Sequence, residues 1–426
     1  AESPRNQSTT ACIAQRQGMK HLNVFYDGHG EHRLVGQLAM DGRQPVFQYH
    51  AQWLQQPLPL SPLELPASTQ LYRGYETSQY GLPGLIADSL PDGWGMLLMD
   101  RFFRKYQHRE PYDVSILERL AYIGHSAIGA LSFEPESSIG EQAIEMDLLT
   151  LAQSTQAVVG GHESDALKSL LIVGGSPQGA RPKALVKYDA SQGQISTLQT
   201  ATGEDWLVKF PAQGENQSVC AAEHVYALMA KQCGLDMPES RFFDLGQGYG
   251  AFGVKRFDRD KGLRIHTHTL AGLLNTNFRL PTLSYTQFLR CIRALTHSEP
   301  EVIKGYRQCV FNVVFNNRDD HTKNFSFVMD SVGQWTLSPP YDLSFNTGLN
   351  GEHNMDIMGE GKHVQRKHLL ALAKNSDIKP AIARDIIEQT VAVANTLHSQ
   401  LKNYPIDLEL NQRICQHVAQ NMAYME

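Results

Sequence analysis

Apolar and polar residues alternate in short runs near the start of the chain, and His21–Phe25, Leu34–Met40 and Ala130–Phe133 read as strands. Between them, GLIADSLPDGWGMLLMDRFFRKY spaces Leu85, Leu90, Met96, Leu97, Met99 and Phe102 as helical turns on either side of a Pro91–Asp92–Gly93 break. The acidic, Ser-containing stretch Glu134–Glu141 reads as a linker. Beyond it, Leu170–Val173 and Ala184–Tyr188 read as strands flanking GGSPQGARPK, and Asp205–Phe210 as a third strand. Ser218–Cys233 reads as a helix with Ser218 as its N-cap. From about residue 262 helical spacing dominates: Tyr285–Leu295, Glu299–Asn316, Arg366–Ala373 and Lys379–Asn403. One strand pair, Asn324–Val328 and Gln334–Leu337, interrupts them around a turn at Asp330–Gly333. No repeat of fixed period is present. The expectation is a bilobed α+β fold, its strand-rich N-terminal lobe and helical C-terminal lobe enclosing a cleft. The divisions are a polar tail at 1–18, an N-terminal subdomain at 19–142, a strand-rich part at 143–261 and a helical lobe at 262–426.

Composition narrows the function classes. The 426 residues carry 38 Lys and Arg against 44 Asp and Glu, a formal charge of −6. Such a surface does not hold nucleic acid by phosphate neutralisation, so direct DNA binding by this chain is disfavoured. No apolar run approaches the roughly 18–20 residues of a membrane helix; Val310–Phe315 is interrupted by Asn312. Cys12, Cys220, Cys233, Cys291, Cys309 and Cys415 form no CxxC pattern, which points to free thiols rather than structural zinc. With no apolar centre of a secretory signal in Ala1–Gly18, a cytoplasmic location with no membrane contact is expected.

The densest chemistry lies in Asn316–Ser344, where Asp319, Asp320, His321, Lys323 and Asn324 follow a helix directly. Polar groups crowded beside an apolar strand are costly unless a charged species binds there. If Asn324 opens one strand of the hairpin and Asp342 follows the other, the two meet at its open end, about 5 Å apart. An amide oxygen and a carboxylate make a hard-oxygen site for Mg²⁺ carrying phosphates, and Asp319, off the metal, is placed to orient a hydroxyl. Asp319 and Asn324 have the D-x-x-x-x-N spacing of the protein-kinase catalytic loop, with Arg318 before the Asp but Asn317 in place of the His. Plain capping of a helix end and a turn by these residues, and a transition-metal site through His321, are the alternatives.

Lys209 lies within the apolar run DWLVKF, and Glu223 falls within the apolar stripe of the following helix, four residues after Val219 and three before Tyr226. A buried lysine and a buried glutamate call for each other, and a strand-to-helix Lys–Glu pair is a kinase requirement. The alternative is a snorkelling Lys209 with Glu223 at the stripe's edge. The loop Gly174–Lys183 is neither a Walker A motif nor GxGxxG, and it reads either as a cover over phosphates or as a plain hairpin loop.

Together these residues resemble the HipA family of bacterial toxin Ser/Thr kinases. NRDDHTKNFS (Asn317–Ser326) is similar to that family's catalytic loop and PPYD (Pro339–Asp342) to its metal-binding segment. LIADSLPDGWG and YIGHSAIGALSFEP resemble its N-terminal subdomain, and MGEGKH (Met358–His363) a turn of its C-terminal lobe. The resemblance implies a protein-kinase-like fold, with ATP and Mg²⁺ as cofactors. It makes Asp319 the catalytic residue, Asn324 and Asp342 the Mg²⁺ ligands, and Lys209 the ATP-phosphate lysine fixed by Glu223. Gly175, Ser176, Gly179 and Lys183 of the Gly-rich loop, with His321 and Lys323, fall in its nucleotide site. Lys255 and Phe257 of VKRFDR match adenine-contacting hinge positions, although Lys255 stands where an acidic residue is common. Ser176 matches the serine whose autophosphorylation silences the family's toxins; Arg181–Pro182 depart from the usual loop. The implied partners are a helix-turn-helix antitoxin (HipB-like), which alone carries contact to operator DNA, and a protein substrate, with aminoacyl-tRNA synthetases among the family's targets. Two further readings stay open: a small-molecule kinase of the same fold, and a non-catalytic corepressor that binds the antitoxin.

Overall fold

Strict alternation marks the first strand. In the computed structural model, which describes residues 19–137, 145–162 and 167–426, β1 (His21–Tyr26) buries Leu22, Val24 and Tyr26 and turns the residues between them outward. It pairs antiparallel with β2 (Arg33–Asp41) and with β5 (Leu131–Glu134), and β3 (Gln44–Tyr49) and β4 (Leu71–Tyr72) extend the sheet in the order β4-β3-β2-β1-β5. Helices α1 (Gly84–Ala87), α2 (Gly93–Gln107) and α3 (Ile116–Ile123) lie between β4 and β5. The Pro91–Asp92–Gly93 segment separates α1 from α2, and α3 opens on a Ser115–Glu118 capping box. The tail 1–18, linker residues 138–141 and the division at 142–143 lie outside the described residues.

The second sheet is antiparallel, ordered β7-β6-β8-β10-β9, with β6 (Lys183–Asp189), β7 (Gln194–Ser196), β8 (Glu204–Lys209), β9 (Ser240–Gly246) and β10 (Tyr249–Lys255). Before it come α4 (Leu148–Val159) and α5 (Leu167–Gly174). The expected strand Leu170–Val173 is therefore the end of a helix, packed on α2 with Leu170, Leu171 and Val173 all buried. A short run that is apolar on every side carries no periodicity to separate a buried strand from a buried helix. The Gly-rich loop thus joins a helix to a strand.

Helix α6 (Ser218–Gln232) crosses β9 and β10. Ser218 lies inside it rather than capping it: Gln217 precedes the helix, and the Ser218 hydroxyl instead accepts the N–H of Asp407 at 3.0 Å.

After the hairpin β11 (Arg259–Asp260) and β12 (Leu263–Arg264) comes a small sheet of β13 (His266–Thr269), β14 (Ser326–Met329) and β15 (Trp335–Leu337). Helices α7 (Leu270–Leu273), α8 (Tyr285–Thr296) and α9 (Glu299–Val314) fall within it in sequence. Asn324 does not open the strand; it closes a 3-10 turn, Thr322–Asn324, and β14 begins at Ser326. The remaining helices are α10 (Arg366–Asn375), α11 (Pro380–Ala394), α12 (Leu397–Leu401) and α13 (Leu408–Ala423). The single helix expected over 379–403 is broken between α11 and α12, where the Thr396 hydroxyl donates to the Val393 carbonyl at 2.7 Å. Helix α9 is the core of this lobe, buried along Val302, Tyr306, Val310, Phe311 and Val314. One apolar core runs through both halves, and Tyr226 of α6 ties them by donating to the Phe315 carbonyl at 2.7 Å. Cys220, Cys233, Cys291 and Cys309 are buried free thiols. Among the described residues no helix is long and apolar enough to cross a membrane.

Candidate active site

A cleft of about 690 Å³ opens where the second sheet meets the helical lobe. Leu207 and Val254, paired on the sheet, give the cleft an apolar end with Met237 and Phe257, whereas Phe252 pairs with Lys209 and charged side chains from both halves crowd the other end. Lys209 stands at the end of β8, and its ammonium donates to Glu223 of α6 at 2.5 Å and to Asp342. Burial by itself disfavours the Lys209 cation, but the Asp342 and Glu223 carboxylates outweigh it and hold the pKa raised. Burial likewise opposes ionisation of Asp342, and Lys209 and Lys183 more than offset it, so this carboxyl lies well below its usual range. Asp342 sits in the left-handed region at φ 52°, a conformation that Asp tolerates better than most residues and that marks functional segments. Arg181 approaches the far oxygen of Glu223 at 3.8 Å.

The end of α9 sets the second half of the site. Asn316 takes a left-handed turn at φ 55°, and its side chain is held by the Asn346 carbonyl at 3.1 Å and by Asn421 Nδ2 at 3.1 Å. The two adjacent carboxylates then diverge. Asp319 projects into the cleft, half exposed, while Asp320 is buried, accepting from the Tyr285 hydroxyl, His353 Nδ1 and the Asn354 N–H, each at 2.7 Å. The surrounding protein raises the Asp319 pKa, and the charges of Asp342 and Asp320 push it the same way against His321 and Arg181. Asn324 donates its amide nitrogen to the Asp319 carbonyl at 2.7 Å, which leaves Oδ1 as its ligand atom. His321 Nε2 lies 3.9 Å from Asp319, and Tyr341 donates to the Lys323 carbonyl at 2.7 Å.

Of the residues expected here, Lys209, Glu223, Lys255, Phe257, Gly179, Lys183, Asp319, His321, Lys323, Asn324 and Asp342 all line this one cleft. Gly175 and Ser176 do not: Gly175 follows α5, bonded to the Leu171 carbonyl at 2.9 Å, and Ser176 is buried with no partner for its hydroxyl among the described residues. Lys183 is buried, donates to the Gln178 carbonyl, and has its pKa pulled down to about 8 by burial, with Lys209 adding to the effect. The Lys255 ammonium is bound to Glu204. The Phe257 ring lies 5.7 Å from Tyr341.

A hard-oxygen pair, Asn324 Oδ1 and an ionised Asp342, suits Mg²⁺, which takes few protein ligands alongside phosphates. Among the described residues no three His, Cys, Asp or Glu side chains are grouped as metal ligands, which leaves the His321 transition-metal alternative without a ligand set.

Residues that sequence reasoning did not select also line the cleft: Asp88 and Asp92 from the N-terminal part, and Phe278 and Arg279 from the loop after α7. The Pro91–Asp92–Gly93 break was legible only as punctuation between helices, because its contact with the cleft is long-range.

Residues 175–397 match the family described as HipA-like C-terminal domain, and residues 22–134 match HipA N-terminal domain. The HipA chain from a Shewanella oneidensis MR-1 complex of HipA, HipB and operator DNA aligns with a TM-score of 0.66 at 17% identity, over 95% of this chain and 96% of that one. The two share a fold. The Sinorhizobium fredii protein named "Putative kinase Y4mE" is 27% identical over 354 residues, 76% of each chain. A Haemophilus influenzae protein named "Putative kinase" is 27% identical over 149 residues, and that match spans 31% of this chain and 43% of the relative. With its C-terminal match covering more than half of its length and the N-terminal match preceding it, this chain belongs to the HipA family.

Proposed function

We propose that this chain is an ATP- and Mg²⁺-dependent kinase that phosphorylates a protein serine and acts as the toxin of a toxin–antitoxin pair. The observation that carries the reading is the cleft in which Lys209 bridges Glu223 and Asp342 while Asp319, half exposed, stands beside them with His321 3.9 Å away. The apolar end, with Phe257 and the Lys255 backbone, receives the adenine. Lys209, held by Glu223, donates to phosphate oxygens, and the Gly179 N–H, Lys183, His321 and Lys323 surround the same end. Asn324 and Asp342 would hold Mg²⁺, which would supply neutralisation of phosphate charge. Asp319 orients the substrate hydroxyl and accepts its proton; burial raises its pKa, which makes it a stronger base than an ordinary aspartate.

Ser176 is the proposed autophosphorylation site. It is buried and outside the cleft, so the Gly-rich loop must leave its packed position before the hydroxyl reaches Asp319. The phosphate adds about −1.5 to −2 charge and three strong acceptors, which the closed loop has no room to solvate. The HipA–HipB–DNA complex and the family membership support a HipB-like antitoxin as partner, with DNA reached through it. An aminoacyl-tRNA synthetase as target rests on family resemblance.

Incubation of the purified chain with γ-labelled ATP, alone and with cell lysate, tests the reading. Label is expected on the chain at Ser176 and on a lysate protein, and Asp319→Asn abolishes both. Unchanged labelling with Asp319→Asn overturns the assignment of the base, and label confined to small molecules favours a small-molecule kinase.

A further inference from the structure

Asp92 belongs to the break between α1 and α2, far from the catalytic loop in sequence, yet it lines the cleft and is mostly buried, 14% exposed. Its Oδ1 accepts the backbone N–H of Gly179 in the Gly-rich loop, and its Oδ2 lies 3.3 Å from Nζ of Lys323 in the catalytic loop. The segment carrying it is fixed in place. The Trp94 N–H donates to the Gly179 carbonyl at 3.1 Å, Trp94 Nε1 to the Lys183 carbonyl at 3.1 Å, and Gln178 to the Asp88 carbonyl at 2.6 Å. At Gly93, with φ 35°, a Cβ would lie 2.5 Å from Cα of Ala180, so the two backbones are in contact and only glycine fits.

A Gly-rich-loop N–H and a lysine ammonium converging on one carboxylate define an anion position. Gly179 and Lys323 both line the cleft, and the reading above sets them around the phosphates, so a phosphate oxygen seeks the same partners. Two anions cannot share them in a buried setting without strong repulsion. We infer that Asp92 fills, from within the chain, a position that a nucleotide phosphate must take, and thereby sets nucleotide affinity from the N-terminal part of the molecule. The inference rests on the kinase reading of the cleft. Its burden falls on the phosphates and not on the adenine end, which Asp92 does not touch.

Isothermal titration of the full chain with Mg–AMP-PNP and, separately, with adenosine tests it, using wild type, Asp92→Asn and Asp92→Ala. Asp92→Asn keeps the shape and removes the charge; AMP-PNP is expected to bind about tenfold more tightly, the effect of relieving one like-charge contact. The gain shrinks as salt is raised from 0.05 to about 0.5 M, and adenosine affinity stays the same. Weaker or unchanged AMP-PNP binding in a variant whose melting temperature matches wild type overturns the inference and makes Asp92 a support for the loop or a bystander. An equal gain for adenosine also overturns it, because a general loosening of the cleft is then the cause. If no form binds AMP-PNP, the kinase reading itself falls and takes this inference with it, an outcome distinct from binding that ignores Asp92.

Discussion

The ammonium of Lys209, at the end of β8, reaches the carboxylate of Asp342, 133 residues later in the chain, while holding Glu223 of α6 at 2.5 Å. One cation thus joins the second sheet, its covering helix and the helical lobe. Removing it strands Glu223, which is 3% exposed, with the more distant Arg181 as its one cation among the described residues. Lys209→Met is expected to cost about 3–5 kcal/mol by urea denaturation, the penalty of an uncompensated buried charge. Lys209→Met with Glu223→Leu is expected to recover most of that loss, and equal losses in the two proteins would assign the cost to packing instead.

Consecutive aspartates are expected to behave oppositely. Asp320→Ala leaves the Tyr285 hydroxyl, His353 Nδ1 and the Asn354 N–H without their acceptor, at about 1–3 kcal/mol for each buried group left unpaired. Asp319 is half exposed, and Asp319→Ala should change stability by no more than about 0.5 kcal/mol. Chemical denaturation of the two variants side by side checks the contrast; a comparable loss in both would contradict it.

Two buried histidines predict acid lability. Burial lowers the His266 pKa to about 3 and that of His224 to about 4, with Arg241 adding to the latter. His266 has one ring nitrogen on the Leu60 carbonyl at 3.1 Å and the other without a partner among the described residues, so the neutral form fits the site. The unfolded chain takes up these protons near its ordinary value of about 6.5, whereas the folded chain resists. Their contribution is therefore complete above pH 6.5 and is lost as pH falls from there towards 4. Melting temperature followed from pH 7.5 to 4 should drop across that window, and His224→Phe should flatten part of the slope. An identical slope in the variant would place the acid sensitivity elsewhere.

Contact between the N-terminal part and the helical lobe is predicted to hinge on Gly84. A Cβ on Gly84 would lie 1.9 Å from the Gly272 carbonyl oxygen and 2.6 Å from Asn275 Oδ1, which accepts the Gly84 N–H at 2.7 Å. Gly84→Ala forces α1 away from α7 and is expected to cost about 1–3 kcal/mol, as overpacking does. Thermal denaturation reads this directly, and a wild-type melting temperature would mean that the two helices separate freely.

Local pattern carried a great deal of this molecule. The alternation in His21–Phe25 and the helical spacing in Glu299–Asn316 located real elements, because each buries one face and the burial writes its period into the residues. The Asp319-to-Asn324 spacing and the placement of Glu223 within the apolar stripe of α6 pointed to residues that share the cleft. Where period is absent the reading failed, as in Leu170–Val173, which is apolar on all sides and helical.

The sequence by itself determined which chemical groups are present and which segments bury a face: a lysine inside an apolar strand, a glutamate inside an apolar helix stripe, and a run of carboxylates and amides after α9. Only the tertiary structure decided which of two adjacent aspartates faces the cleft, that Ser176 is packed away from it, and that Asp92 reaches the loops around it from the opposite end of the chain. The reason is physical. Periodicity and capping act over a few residues, whereas these outcomes depend on hydrogen-bond partners and excluded volume supplied by segments tens to hundreds of residues away, and no local pattern encodes those distances.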